Sequence, residues 1–230
     1  MSANAIYWIL FGAVAILSYV VQASLQSKFA KYSKVGIANG MTGAEVARKM
    51  LADNGITDVS VTHVPGQLTD NYNPVNKTLN LSDVVYGTCS VAAAAVAAHE
   101  CGHALQHAKG YGPLRLRSAL VPVVSFASKA LTWVLLAGML LINIFPGIML
   151  AGIILFAFTT LFSLVTLPVE INASQRALNW LQTAGITDYS NHEYATKALR
   201  AAAYTYVVAA LSSLATLIYY IMIFMGGSRR

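Results

Sequence analysis

Three long apolar blocks constrain this chain more than any other feature. Residues 5–21, AIYWILFGAVAILSYVV, carry no charge. Residues 119–169 carry one, Lys129, and residues 203–225 carry none. A bilayer core is crossed by about 20 apolar residues in a helix, so the first and last blocks each make one span. The middle block is too long for one. Its segment NIFPG, residues 143–147, brings Asn, Pro and Gly together as a turn, which divides the block into spans at 119–142 and 147–168. With 57% hydrophobic and 10% charged residues, against about a quarter charged in soluble domains, a wholly soluble fold is excluded. The first block lacks the positive residues that a secretory signal would carry ahead of it, so it reads as an uncleaved anchor.

Charge sets the expected orientation. Lys28, Lys31 and Lys34 follow the first span, Lys109, Arg115 and Arg117 precede the second, and Arg176, Lys197 and Arg200 lie between the third and fourth. The positive-inside rule then puts both polar regions in the cytoplasm and both termini outside; Arg229 and Arg230 pull the other way, but are outnumbered. The net charge of +6 follows from this topology and from anionic headgroups, and no nucleic-acid partner is expected. The two cysteines, Cys89 and Cys101, read as small buried residues rather than a disulfide in a reducing compartment.

The larger polar region reads as helix, strand, strand, helix. TGAEVARKMLADN carries a capping box in Thr42 and Glu45. DVSVTHV alternates as a strand, PGQLTDNYNPVNK is rich in turn residues, and TLNLSD alternates again. The alanine-rich SVAAAAVAAHECGHALQHAKG then reads as a helix stopping near Gly110.

That helix holds the chemistry. His99 and His103 stand four apart, so they share a face and can offer two imidazoles to one metal. Glu100 lies about 100° round the helix, within reach of a water on that metal without displacing a ligand; this is the physical content of H-E-x-x-H. Burying His, Glu and His among alanines is costly unless they are partnered, which favours zinc over an unoccupied helix. A catalytic zinc takes three protein ligands and keeps one position open. His107 is a local candidate, but stands a further turn along, about 6 Å up a straight helix. Glu170, in TLPVEINASQRALNWL, is favoured: it follows an apolar run, and Ala173, Ala177, Leu178 and Leu181 behind it repeat at core spacing.

The stretches LTDNYNP, NKTLNLSDVVYG, SVAAAAVAAHECGHALQ and LPVEINASQRAL, in that order, resemble the YugP-like family of neutral zinc metallopeptidases of bacterial membranes. The arrangement is also similar to gluzincin-type proteases, where a glutamate on a later helix completes the site. The resemblance implies one Zn2+ per chain held by His99, His103 and Glu170, with Glu100 as general base. It departs in two places: Ser174 stands where an aspartate often supports a ligand histidine, and Asn71, Asn73 and Asn172 stand where the family often has aspartates.

The expected fold is therefore a mainly α membrane protein. About four transmembrane helices accompany a small α+β, zincin-like cytoplasmic domain that carries the HExxH helix. The divisions are an anchor at 1–23, the metalloprotease region at 24–117, a transmembrane hairpin at 118–169, a helical region with the third ligand at 170–202, and a final span at 203–230. The expected activity is peptide hydrolysis at a bacterial cell membrane, with the site on the cytoplasmic side. The expected partners are the lipid bilayer and a protein or peptide substrate; nothing in the sequence sets an oligomeric state. Glu100 takes the proton from the attacking water, and an oxyanion donor is sought among Tyr72, Tyr86, Arg176 and His192. The segment TLNLS offers an edge to a substrate strand. Three rivals are an intramembrane protease of the site-2 type, a zinc-bearing scaffold with His107 or Cys89 as fourth ligand, and a transporter using Lys129.

Overall fold

The structure, a computed structural model, describes residues 3–227, with side chains from Trp8 to Gly226; Arg229 and Arg230 lie outside the described residues. The elements in order are α1 (Ala3–Tyr32), α2 (Gly43–Asp53), β1 (Ser60–Val64), β2 (Asn71–Asn73), β3 (Thr78–Ser82), α3 (Asp83–Tyr86), α4 (Val91–Ala108), α5 (Gly112–Leu140), α6 (Pro146–Thr183) and α7 (His192–Gly227). Helices α1, α5, α6 and α7 are long and apolar enough to cross a membrane. The chain divides into two units.

One unit comprises residues up to Tyr19, Arg115–Leu167, and Tyr206 onward. Here α5 and α6 form a hairpin whose helices touch at glycines. A Cβ on Gly138 would stand 2.7 Å from Met149 Cα, and one on Gly152 would meet the Leu135 side chain at 2.7 Å. Leu135, Met149 and Ile153 are buried, with Leu131, Leu217 and Tyr220 packed on them. Thr160 and Ser213 join α6 to α7 through a 2.8 Å hydroxyl bond. The outer surface keeps Phe126, Trp133 and Leu140 at 67%, 72% and 75% exposure, an apolar coat that suits lipid rather than water. Lys129 is exposed on α5.

The other unit comprises Val20–Leu114 and Pro168–Thr205. Its axis is α4, buried over most of its length because its face-forming residues are alanines. Helix α2 lays Val46, Ala47, Met50 and Leu51 against it, and its start is fixed by the expected capping box: Thr42 accepts the Glu45 N–H, and Glu45 accepts the Thr42 N–H. Small side chains also let α6 approach. A Cβ on Gly102 would lie 2.6 Å from the Ala173 carbonyl oxygen, so the two backbones are in direct contact there. Cys101 faces α2, its Sγ 3.5 Å from the Ala47 carbonyl, whereas Cys89, expected to be buried, is exposed.

The polar segment differs from the expected pair of strands. Three strands form, in the order β1-β3-β2, with β1 parallel and β2 antiparallel to β3. The additional strand, Asn71–Asn73, lies inside the turn-rich stretch. Asn71 pairs with Asn80 and Asn73 with Thr78, across a loop in which Asn73 Oδ1 accepts the Val75 N–H, a local turn bond typical of asparagine. TLNLS is consequently the central strand, bonded on both sides, and is no free edge for a substrate; β1 and β2 are the edges. Helix α6 also runs past the end of its apolar block. Its 38 residues extend about 57 Å at 1.5 Å per residue, beyond a core of about 30 Å. It stops at Gly185, whose φ of +65° allows the Ile186 N–H to bond back to the Leu181 carbonyl at 3.0 Å.

The contact at Gly102 makes a direct prediction. Gly102→Ala pushes a methyl into the Ala173 backbone and costs about 1–3 kcal/mol, the usual range for overpacking. Gly87→Ala, with open space around its Cβ, leaves stability unchanged. Thermal unfolding of the two variants in the same detergent checks this; equal melting temperatures would contradict the close approach.

Candidate metal centre

Helix α4 presents His99 and His103 one turn apart, their ring centroids 4.8 Å apart and nearly perpendicular. Helix α6 brings Glu170, two residues past Pro168, to face both rings. Glu170 Oε2 lies 3.2 Å from His99 Nε2 and 3.5 Å from His103 Nε2. One donor atom from each of the three residues falls within 4.8 Å of the other two, and no other group of three or more His, Cys, Asp or Glu residues gathers this way among the described residues. The Glu170 side chain is only 4% exposed. A buried carboxylate requires a cation or strong donors, and an imidazole can donate to it only through a protonated Nε2. Two nitrogens and one oxygen converging on one point are a donor set that fits zinc in a three-ligand site.

Each ring is held from behind. The Ser174 hydroxyl lies 3.1 Å from His99 Nδ1, at the position expected to support a histidine. Gln106 Oε1 lies 3.1 Å from His103 Nδ1. The Gln106 amide nitrogen donates to the Val169 carbonyl at 2.8 Å and to Asn172 Oδ1 at 3.0 Å. Arg176 Nε donates to the same Asn172 oxygen at 2.8 Å, and its guanidinium lies over the Tyr111 ring. Burial opposes charging His103, but the hydrogen bond to Glu170 and the nearby Glu100 charge outweigh it, so its pKa lies above the ordinary histidine value.

Glu100 is buried on the same helix, and its Oε2 accepts the Tyr72 backbone N–H at 2.9 Å. The edge strand β2 thus grips the carboxylate. Tyr72 also places its hydroxyl 2.9 Å from His107 Nδ1, and burial raises the pKa of that phenol. Of the residues considered from sequence, the structure gathers His99, His103 and Glu170, with Ser174 bonded to His99, Asn172 and Arg176 linked to His103 through Gln106, and Glu100 and Tyr72 bonded to each other. His107 is bonded to Tyr72 instead of joining the group. His192 pairs with Thr187, and Tyr86 accepts a bond from Arg48; neither is bonded to the group. Gln106, fully buried one turn beyond His103 on an alanine-rich helix, was missed by the sequence reading, and no local pattern singles it out.

The chain matches, over residues 7–225, the family described as "Putative neutral zinc metallopeptidase". It is 46% identical over 211 residues to the Bacillus subtilis (strain 168) protein called "Putative membrane protease YugP", covering 92% of this chain and 93% of that one. No solved structure matches it.

The pKa direction of His103 gives a stability prediction for metal-stripped protein. A folded-state value raised above the unfolded one means stability that is full below about 6.5, the ordinary histidine value, and lost as pH climbs through the folded value. In chelator, the melting temperature should therefore fall as pH rises above about 6.5, and added zinc should restore it at the higher pH. A melting temperature indifferent to both would contradict the electrostatic account of this cluster.

Proposed function

The chain belongs to the neutral zinc metallopeptidase family, and we propose that it acts as a membrane-bound zinc endopeptidase with its site on the cytoplasmic side. The observation that carries this reading is the convergence of two Nε2 atoms and one buried carboxylate oxygen, with a second buried carboxylate beside them. His99, His103 and Glu170 would hold the ion. Zinc there supplies Lewis acidity, which makes water a nucleophile near neutral pH and polarises the scissile carbonyl.

The chain's own residues do the rest. Glu100 is the general base. Its Oε2 is oriented by the Tyr72 amide, which leaves Oε1 to take the proton from the attacking water and return it to the departing amine. Ser174 and Gln106 fix the planes of the two rings. The Tyr72 N–H points away from β3 toward Glu100, and in an antiparallel pair the carbonyl of the same residue shares that side. The outward N–H of β2 is thus already taken by Glu100, and an extended peptide substrate is left the edges β1 and β2, rather than TLNLS, for any further backbone bonds. Of the four residues named from sequence as oxyanion donors, Tyr72 is the one bonded directly to residues of the HExxH helix, Glu100 and His107, and we take its hydroxyl as the donor. The three-residue ligand set favours an open catalytic site over a closed structural one. The cytoplasmic placement rests on the lysines and arginines flanking the spans.

Metal analysis and cleavage of an unfolded protein such as casein test the proposal together. Glu100→Gln should retain zinc and lose activity by about 100-fold or more, the usual scale for removing a general base. Glu170→Ala should lose the zinc itself. Native turnover in Glu100→Gln, or full zinc content in Glu170→Ala, would overturn the assignments.

A further inference from the structure

The hydrogen bonds around Gln106 have directions that chemistry alone decides. Its Nε2 lies 2.8 Å from the Val169 carbonyl oxygen, which can only accept, so the amide cannot be turned round. The opposite end, Oε1, therefore faces His103 Nδ1 at 3.1 Å. An amide oxygen can only accept, so His103 Nδ1 carries the hydrogen. In the neutral ring Nε2 is then bare, and that is the atom 3.5 Å from Glu170 Oε2. The arrangement is braced a second time. Arg176 Nε can only donate, which fixes Asn172 Oδ1 as the atom that receives it, at 2.8 Å, and the same oxygen accepts from Gln106 at 3.0 Å. Gln106 has no exposed surface, so no water competes for these bonds. His99 is held differently: the Ser174 hydroxyl can donate or accept, so that contact does not choose a tautomer.

We propose that Gln106, braced by Asn172 and Arg176, is a positioning residue that locks the His103 ring in its Nδ1–H tautomer and aims Nε2 at Glu170. The inference rests on the reading of His103 as a metal ligand. It makes His103 the preset ligand of the pair and His99 the adjustable one. Partners that orient a ligating imidazole typically contribute about 10- to 100-fold to metal affinity.

The test uses full-length protein in detergent with 15N-labelled histidine. The His103 resonances are identified by their loss in His103→Ala. In metal-free protein, at a pH where the ring is neutral, His103 should show a protonated Nδ1 and a bare Nε2. Gln106→Met, which keeps volume and removes the acceptor, should mix the tautomers and weaken zinc binding about 10- to 100-fold in a chelator competition. Gln106→Glu, which keeps an acceptor oxygen, should keep the native tautomer. A protonated Nε2 in the native protein would overturn the proposal, and so would native zinc affinity in folded Gln106→Met. If Gln106→Met does not fold, the native tautomer decides alone. Failure of the native protein to bind zinc would instead sink the peptidase reading, while the ring measurement would still judge Gln106.

Discussion

The contact of α4 with α6 at Gly102 and Ala173 is the constraint on which the site depends. Two helices usually pack with axes 8–10 Å apart, the spacing set by the side chains between them. With no side chain at Gly102, the α6 backbone sits directly on α4, 2.6 Å from where a Cβ would be. The glycine falls between the two histidines, so the closest point of the packing is also the centre of the candidate site. One helical turn before Ala173, Glu170 reaches both rings; one residue after it, Ser174 reaches the back of His99. A larger residue at 102 would separate all these pairs together.

Around that contact the apolar and polar demands are reconciled by pairing. The alanines of α4 exclude water, which raises the cost of any unpaired polar group. Every polar side chain admitted there is bonded: Glu100 to a strand amide, the rings to Ser174 and Gln106, Gln106 to a carbonyl and an asparagine. A satisfied network of this kind is stiff. Stiffness matters for a metal site, because ligands held before the ion arrives need not be ordered when it binds.

Parts of this were legible in the sequence for identifiable reasons. The spacing of His99 and His103 matches the helical repeat, so their shared face follows from local geometry. Glu170 stood out because an acid behind a long apolar run is expensive anywhere but in a partnered site. The four long helices followed from uncharged length, although their ends did not: α6 continues to Thr183 because nothing in EINASQRALNWL breaks a helix, and hydropathy marks where apolar residues end rather than where helices do. The strand β2 was illegible because Asn-Tyr-Asn has no apolar alternation and is held by its hairpin to β3 and by Glu100. Once β2 occupies one side of TLNLS and β1 the other, that segment cannot be an edge, which no local pattern could reveal. Gln106 was illegible for a similar reason. A glutamine becomes informative only when its partners, on a helix far along the chain, are known. Cys89 had no local signal for exposure.

The chain order of the gathered side chains has a consequence for biogenesis. Both histidines leave the ribosome well before Glu170, and α5 with most of α6 lies between them. A nascent or truncated polypeptide that has not yet placed this hairpin possesses imidazoles without their carboxylate. The three-residue cluster is therefore complete only once the later helices are made and seated.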